Sequence, residues 1–261
     1  MKSSRNDELL TFGGHLEVFR RMFFHIIAAA GAIACVIFCF KETTWDVLLA
    51  PSEWDFCTYR WIESALQAIG IDFHFDLFHV NLIATDLSSQ FMMHITTAVY
   101  LGLLGASPYI LYELFHFISP ALYENERKYS VQVAGIIYVL FILGVLMSYF
   151  VLFPISFRFL GTYSVSVRVV SNITLDSYIS TFVSLTLVMG VVFQLPVIAF
   201  FLGKMGVFTS AMLAKYRKHS FVVIMIVAAI ITPPDLMTLI LVTIPLYLLY
   251  EVSIRVVKWV E

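Results

Sequence analysis

The residues whose types and spacing suggest chemistry are carboxylates, guanidinium groups and one amide, set at the edges of apolar runs or inside them. The first group is His15-Leu16-Glu17-Val18-Phe19-Arg20-Arg21, just ahead of a long apolar run. The second is the stretch from Pro108 to Lys128, with aromatics on both sides of Pro120 and carboxylates at Glu113, Glu124 and Glu126, the last beside Arg127. A plain solvated loop has no need of so many aromatics. A platform lying along a membrane surface and presenting acids beside it does. The third group is polar residues in or at the ends of apolar runs: Gln194 two residues before Pro196, Asp235 after Pro233-Pro234, and Glu251. This is chemistry of recognition. No nucleophile–base pair or phosphate loop is visible, and none of the seven histidines falls at a spacing such as H-E-x-x-H, so the chain is expected not to be an enzyme. Asp72-Phe73-His74-Phe75-Asp76 has one histidine between two acids, which suits an amphipathic loop segment better than a metal site. Cys35, Cys39 and Cys57 give neither a disulfide framework nor a zinc site.

The elements that must position these groups are membrane helices. Of the 261 residues 60% are hydrophobic and 13% charged, with a mean hydropathy of +0.89. Soluble domains hold about 45–50% apolar and about 25% charged residues, and they must still present a polar exterior. A formal net charge of −2 argues against binding nucleic acid, which needs a strongly basic face. Six apolar stretches predict spans over about Met22–Phe40, Phe91–Leu111, Tyr129–Phe153, Tyr178–Leu202, Ser220–Thr232 and Leu236–Ile254. The first is too long for a signal-peptide core and reads as a retained helix. Pro154 is expected to stop the third and Pro245 to interrupt the sixth. The fifth has about 13 residues, near 20 Å, so the turn after it either sits within the membrane profile, thins the bilayer, or closes a buried hairpin.

Alternating six spans place 12 of the 16 Lys and Arg residues on one side, which the positive-inside rule makes cytoplasmic together with both termini. The whole chain, 1–261, is expected as one membrane domain, with residues 41–87 as a long extracytoplasmic loop whose Trp45, Trp54 and Trp61 suit an interfacial anchor.

Several motifs carry a family resemblance. The pattern Tyr112-x-x-x-x-Phe117-x-x-Pro120-x-Leu122-x-x-x-Glu126-Arg127 resembles the first cytoplasmic loop of TatC proteins, and His15-Leu16-Glu17-x-x-Arg20 resembles their amino-terminal motif. Phe193-Gln194-Leu195-Pro196, Thr232-Pro233-Pro234-Asp235 and Ile244-Pro245-x-x-x-Leu249-Tyr250-Glu251 are similar to later motifs of the family, in the same order along most of the chain. The resemblance implies a six-helix, all-α membrane protein with short fifth and sixth helices, the receptor and core subunit of twin-arginine export in the inner (cytoplasmic) membrane.

Its partners would be twin-arginine signal peptides of folded precursors and single-span TatA- or TatB-type subunits, in a complex with further copies of itself and driven by the proton-motive force. No cofactor is implied. Glu126 would pair with the signal's arginines, Phe117 would support the adjacent signal backbone, and Leu16, Glu17, Arg20 and Arg127 would complete the site. Each charge-assisted pair is worth roughly 1.5–3 kcal/mol, and a planar guanidinium suits a carboxylate better than lysine does. Pro51, Pro120, Asp235 and Glu251 stand as further motif positions.

Two departures matter. The family's second amino-terminal glutamate is Val18 here, which leaves Glu113 or Glu124 as candidates for the second carboxylate. Gln194 stands where many relatives carry glutamate; it either satisfies the backbone freed by Pro196 or contacts a partner's helix, and an amide hardly titrates. An ion-coupled small-molecule transporter needs charged or broken helices meeting at mid-membrane. An intramembrane protease needs paired aspartates, Ser/His or zinc within the spans.

Overall fold

The computed structural model describes residues 12–72, 74, 78, 80–118, 130–164, 166, 172–232 and 235–261, and they are mostly helical. Helix α1 covers Phe12–Cys39. The segment after it is no simple loop: it holds α2 (Lys41–Leu49), a 3₁₀ turn (Ala50–Ser52), α3 (Cys57–Ala68) and the short strand β1 (Leu82–Ile83). Helix α4 covers Ser89–Ile118 and α5 covers Ser130–Met147. Next come a π-turn (Ser148–Leu152), α6 (Phe153–Thr162), strand β2 (Ile173–Thr174) and α7 (Leu175–Val192). The chain closes with α8 (Leu195–Lys204), α9 (Ser210–Lys215), α10 (Arg217–Ile231) and α11 (Leu236–Val260).

Among the described residues five stretches are long and apolar enough to cross a membrane: Glu17–Cys39, Ser89–Leu114, Ala134–Thr162, Leu175–Lys204 and Leu236–Val260. Helix α10 has 15 residues, about 22 Å against a hydrocarbon core of about 30 Å.

The prolines behave differently from one another. Pro196 does mark a break, since α7 ends at Val192 and α8 begins at Leu195. Pro154 does not stop its helix as expected. The π-turn immediately before it widens the backbone where a proline ring would otherwise press on the carbonyl four residues back. Pro245 lies inside α11, which is 25 residues long in all; the last helix is therefore not short. Packing supports it on both sides of the proline: Val242, Leu246, Leu249 and Val257 are buried, and a Cβ on Gly203 of α8 would stand 3.1 Å from Val257.

The chain groups into two compact units, Met1–Cys39 with Ala98–Tyr138, and Phe40–Thr97 with Val139–Glu261. In the first, α1 and α4 cross closely. A Cβ on Gly102 would lie 2.7 Å from Cβ of Ala34 and 2.8 Å from the Ala30 carbonyl, so only glycine fits there. Small residues let membrane helices gain dispersion energy where no hydrophobic effect drives them together.

In the second unit, tyrosine hydroxyls dock the α2–α3 segment. Tyr149 donates to the Val47 carbonyl (2.7 Å), Tyr178 to that of Leu48 (2.7 Å), and Tyr59 to those of Pro154 (3.0 Å) and Pro51 (3.3 Å). Beneath them Phe153 meets Tyr178 and Phe182 edge to face, each at 5.0 Å. The strands β1 and β2 pair in parallel, Leu82 with Ile173 and Ile83 with Thr174.

Candidate functional site

The amino-terminal acid sits where a membrane helix leaves its apolar stretch. Glu17 and Arg20, three residues apart on one face of α1, form an exposed ion pair at 2.8 Å. Such a pair in water is worth about 0–1 kcal/mol, so Glu17 is readily exchanged to another guanidinium. Leu16 belongs to the same helix. In the same unit, α4 continues past Pro108 and carries Tyr109, Tyr112, Glu113 and Phe117 on its last turns. Tyr109 donates to Oε1 of Glu113 at 2.7 Å, which steadies that half-exposed carboxylate. Pro120, Glu124, Glu126 and Arg127 lie outside the described residues.

The other predicted residues fall in the second unit. At the α7–α8 break the backbone tightens, and the Gln194 amide N–H bonds to Val191 instead of Gly190 (3.0 Å). The Gly190 carbonyl so released accepts the side-chain N–H of Gln194 at 3.4 Å. That distance is long for an N–H···O bond and weak in consequence. Pro196 is buried in the first turn of α8, where a missing N–H costs little. The backbones here are close: a Cβ on Gly190 would meet the Phe141 ring at 2.7 Å, and one on Gly144 the Met189 carbonyl at 2.5 Å.

Asp235 caps α11, its Oδ1 accepting from the Thr238 amide at 2.7 Å. Glu251 pairs with Arg217 of α10, Oε1 to Nε 2.8 Å and Oε2 to Nη2 3.0 Å, and also accepts from Tyr247 at 3.2 Å. Pro51 is buried in the 3₁₀ turn, where its carbonyl meets Tyr59. Arg158 lies 5.0 Å from the Tyr59 ring and 4.5 Å from that of Phe78.

Sequence reasoning missed the Arg217 partner of Glu251, because the two stand 34 residues apart and only the α10–α11 hairpin brings them together. It missed the α1–α4 crossing as well, although Gly102-x-x-Gly105-Ala106 is a small-residue spacing that signals close helix contact. Among the described residues no group of three or more His, Cys, Asp or Glu is placed to hold a metal.

Long apolar helices that place their polar groups at the ends and at one broken turn define a multi-pass membrane protein. Comparison with known proteins makes the class specific. Residues 14–245 match the family described as Sec-independent protein translocase protein (TatC). Over 269 aligned positions, spanning 100% of this chain and 99% of the relative, the sequence is 35% identical to the TatC protein of Blattabacterium sp. subsp. Periplaneta americana (strain BPLAN). It is 44% identical over 154 residues to that of Helicobacter pylori (strain J99 / ATCC 700824), covering 59% of this chain and 61% of the relative. A crystal structure described as the twin arginine translocase receptor TatC superposes with a TM-score of 0.73 at 30% identity, covering 94% of this chain and 99% of the other. The chain belongs to the TatC family: it is a membrane component of the Tat protein translocase and not an enzyme.

Proposed function

We propose that the chain is the twin-arginine receptor of its membrane, binding signal peptides of folded precursors at the end where α1 begins and α4 ends. The observation that carries this reading is the α1–α4 crossing, with a carboxylate near the outer end of each helix. From Ala34 back to Glu17 and from Gly102 on to Ile118, both helices run about 25 Å. Helices that alternate in direction therefore bring Glu17, Glu113 and Phe117 to the same side, and Glu126 is assigned to this site by its motif.

Glu126 supplies the main carboxylate for the paired guanidinium groups, and Phe117 and Leu16 supply apolar contact. Arg20 holds Glu17 until a signal arginine displaces it, and Arg127 and Pro120 are assigned to the same site as motif positions. Six spans, with α10 as the short fifth, put both termini and this site in the cytoplasm and the chain in the inner membrane. The full-length likeness to a solved twin arginine translocase receptor supports the reading.

Glu126→Ala is expected to abolish crosslinking of a twin-arginine precursor while the protein still inserts in the membrane; unchanged crosslinking would remove the site from Glu126. Recruitment of single-span TatA- or TatB-type partners is assigned to the Gln194–Pro196 break, where a half-buried amide at a helix gap can bond to a polar group on a neighbouring helix. Gln194→Leu should weaken partner co-purification with precursor binding kept, and the reverse pattern would count against it. Movement of cargo is powered by the proton-motive force. Pro51, Asp235 and Glu251 act as structural supports of the second unit.

A further inference from the structure

We propose that the groove between α10 and α11 is a binding site for one anionic phospholipid, its acyl chain lying between the helices and its phosphate meeting Lys218 and Arg255. The groove encloses about 450 Å³, and its walls include Phe221 and Met225 from α10 and Ile240, Ile244 and Leu248 from α11. The two hydroxyls on its lining are engaged: Thr243 donates to the Leu239 carbonyl at 2.7 Å and Tyr247 to Glu251 at 3.2 Å. Nothing in the groove solicits a polar ligand, whereas an alkyl chain loses nothing by entering.

One end of this groove is strongly cationic. Lys218, Phe221 and Met225 recur at the spacing of one helix face, and Arg255 stands two turns beyond Leu248 on the face that carries Ile240 and Ile244. The Arg217–Glu251 pair fastens the two helices at that end (2.8 Å). Tyr250 donating to the Leu213 carbonyl (2.7 Å) brings α9 to the same place. Lys215, Arg217, Lys218 and Arg255 thus gather around it, all exposed, four of the chain's 16 basic residues.

The carboxylates at this end are already engaged. Glu251 holds Arg217, and Glu261 accepts from the Ser210 amide (2.7 Å) and hydroxyl (2.5 Å), bonds that hold its pKa below the ordinary carboxylate value. Lys218 and Arg255 make no ion pair among the described residues. Trp259, 84% exposed, and Tyr216 stand beside these cations, as aromatics do at the depth of lipid headgroups. An apolar slot that opens onto uncompensated positive charge is complementary to a molecule with a chain and an anionic head. None of the residues assigned to the signal peptide takes part in it.

The test uses the full-length protein, delipidated in mild detergent and titrated with phosphatidylglycerol or with phosphatidylcholine of the same acyl chains, with bound lipid counted by native mass spectrometry. The expected result is one phosphatidylglycerol retained per chain. Affinity should fall about 30-fold in Lys218→Gln/Arg255→Gln, from roughly one surface-charge contribution per residue. Lys204→Gln/Lys258→Gln, off the groove, should bind as the unmodified protein does, and so should the charge-keeping Lys218→Arg/Arg255→Lys, which controls for folding. Equal retention of the two lipids would overturn the proposal, as would the same loss in both Gln pairs. So would a groove that takes no lipid and holds only a co-purified single-span protein.

Discussion

Replacing Gly190 by alanine would set a methyl group 2.7 Å from Cε2 of Phe141 and 3.1 Å from two further carbons of its ring. Carbon atoms rest at about 3.5–4.0 Å, so the overlap is near 1 Å. Phe141 is buried and cannot swing into lipid without leaving its packing. Overpacking of this kind costs about 1–3 kcal/mol. Against it stands the helix preference of alanine over glycine, about 1 kcal/mol. Gly190→Ala should therefore destabilise the protein by about 1 kcal/mol in equilibrium unfolding in a fixed detergent. Phe141→Leu alone should cost about 1–2 kcal/mol through lost burial. Combined, the smaller side chain clears the space and only the helix-propensity gain remains, so the double variant should be no less stable than Phe141→Leu. The expected coupling is about 1–3 kcal/mol, well outside the roughly 0.5 kcal/mol within which independent sites add. Additive losses would refute the claim that the Phe141 ring limits this approach. Gly144→Ala is the contrasting control: its methyl would lie 2.5 Å from the Met189 carbonyl, and a backbone atom has no rotamer to escape to, so its loss should exceed that of Gly190→Ala.

Tyr59→Phe removes a buried hydroxyl from the Pro154 and Pro51 carbonyls and should lower stability by about 1–3 kcal/mol. Amide exchange in α3 should rise first, and exchange unchanged there would separate Tyr59 from the docking. Burial also raises the Tyr59 pKa above its ordinary 10.0, with Arg158 opposing in part. The neutral phenol is thus the form that folding favours, so the contact is complete below pH 10 and is lost only as alkali is added. Asp235→Ala should cost about 0.5–2 kcal/mol as a lost helix cap, with faster exchange at the Thr238 amide, and Asp235→Asn should recover most of it. Equal exchange at Thr238 in all three proteins would show the cap to be idle.

Much of the fold was legible in the sequence because hydropathy is a property of whole runs. Five stretches of apolar helix announce themselves whatever their neighbours are. Proline was less faithful as a signal, since its effect depends on what the preceding turn does. At Pro196 the chain breaks, at Pro154 a π-turn absorbs the ring, and at Pro245 the helix carries on. The α2–α3 segment was hidden because its hold comes from tyrosine hydrogen bonds between residues 95 to 130 positions apart, and no local pattern encodes that. Among the candidate site residues, Glu17 and Gln194 stood out as polar groups beside or within apolar runs. Arg217 did not, since a cation near a membrane surface has an ordinary explanation until Glu251 is seen against it. Glu126 rests on its motif, being outside the described residues.

The phenols of Tyr59, Tyr149 and Tyr178 all address main-chain oxygens, on Val47, Leu48, Pro51 and Pro154. A peptide oxygen is the same whatever residue bears it. Drift at positions 47 and 48 should therefore leave this latch closed, while loss of a single tyrosine opens it. The burden of specificity rests on three side chains, Tyr149 and Tyr178 of the receiving surface and Tyr59 of the docked strip, and the rest of that strip is left free to vary on its other face.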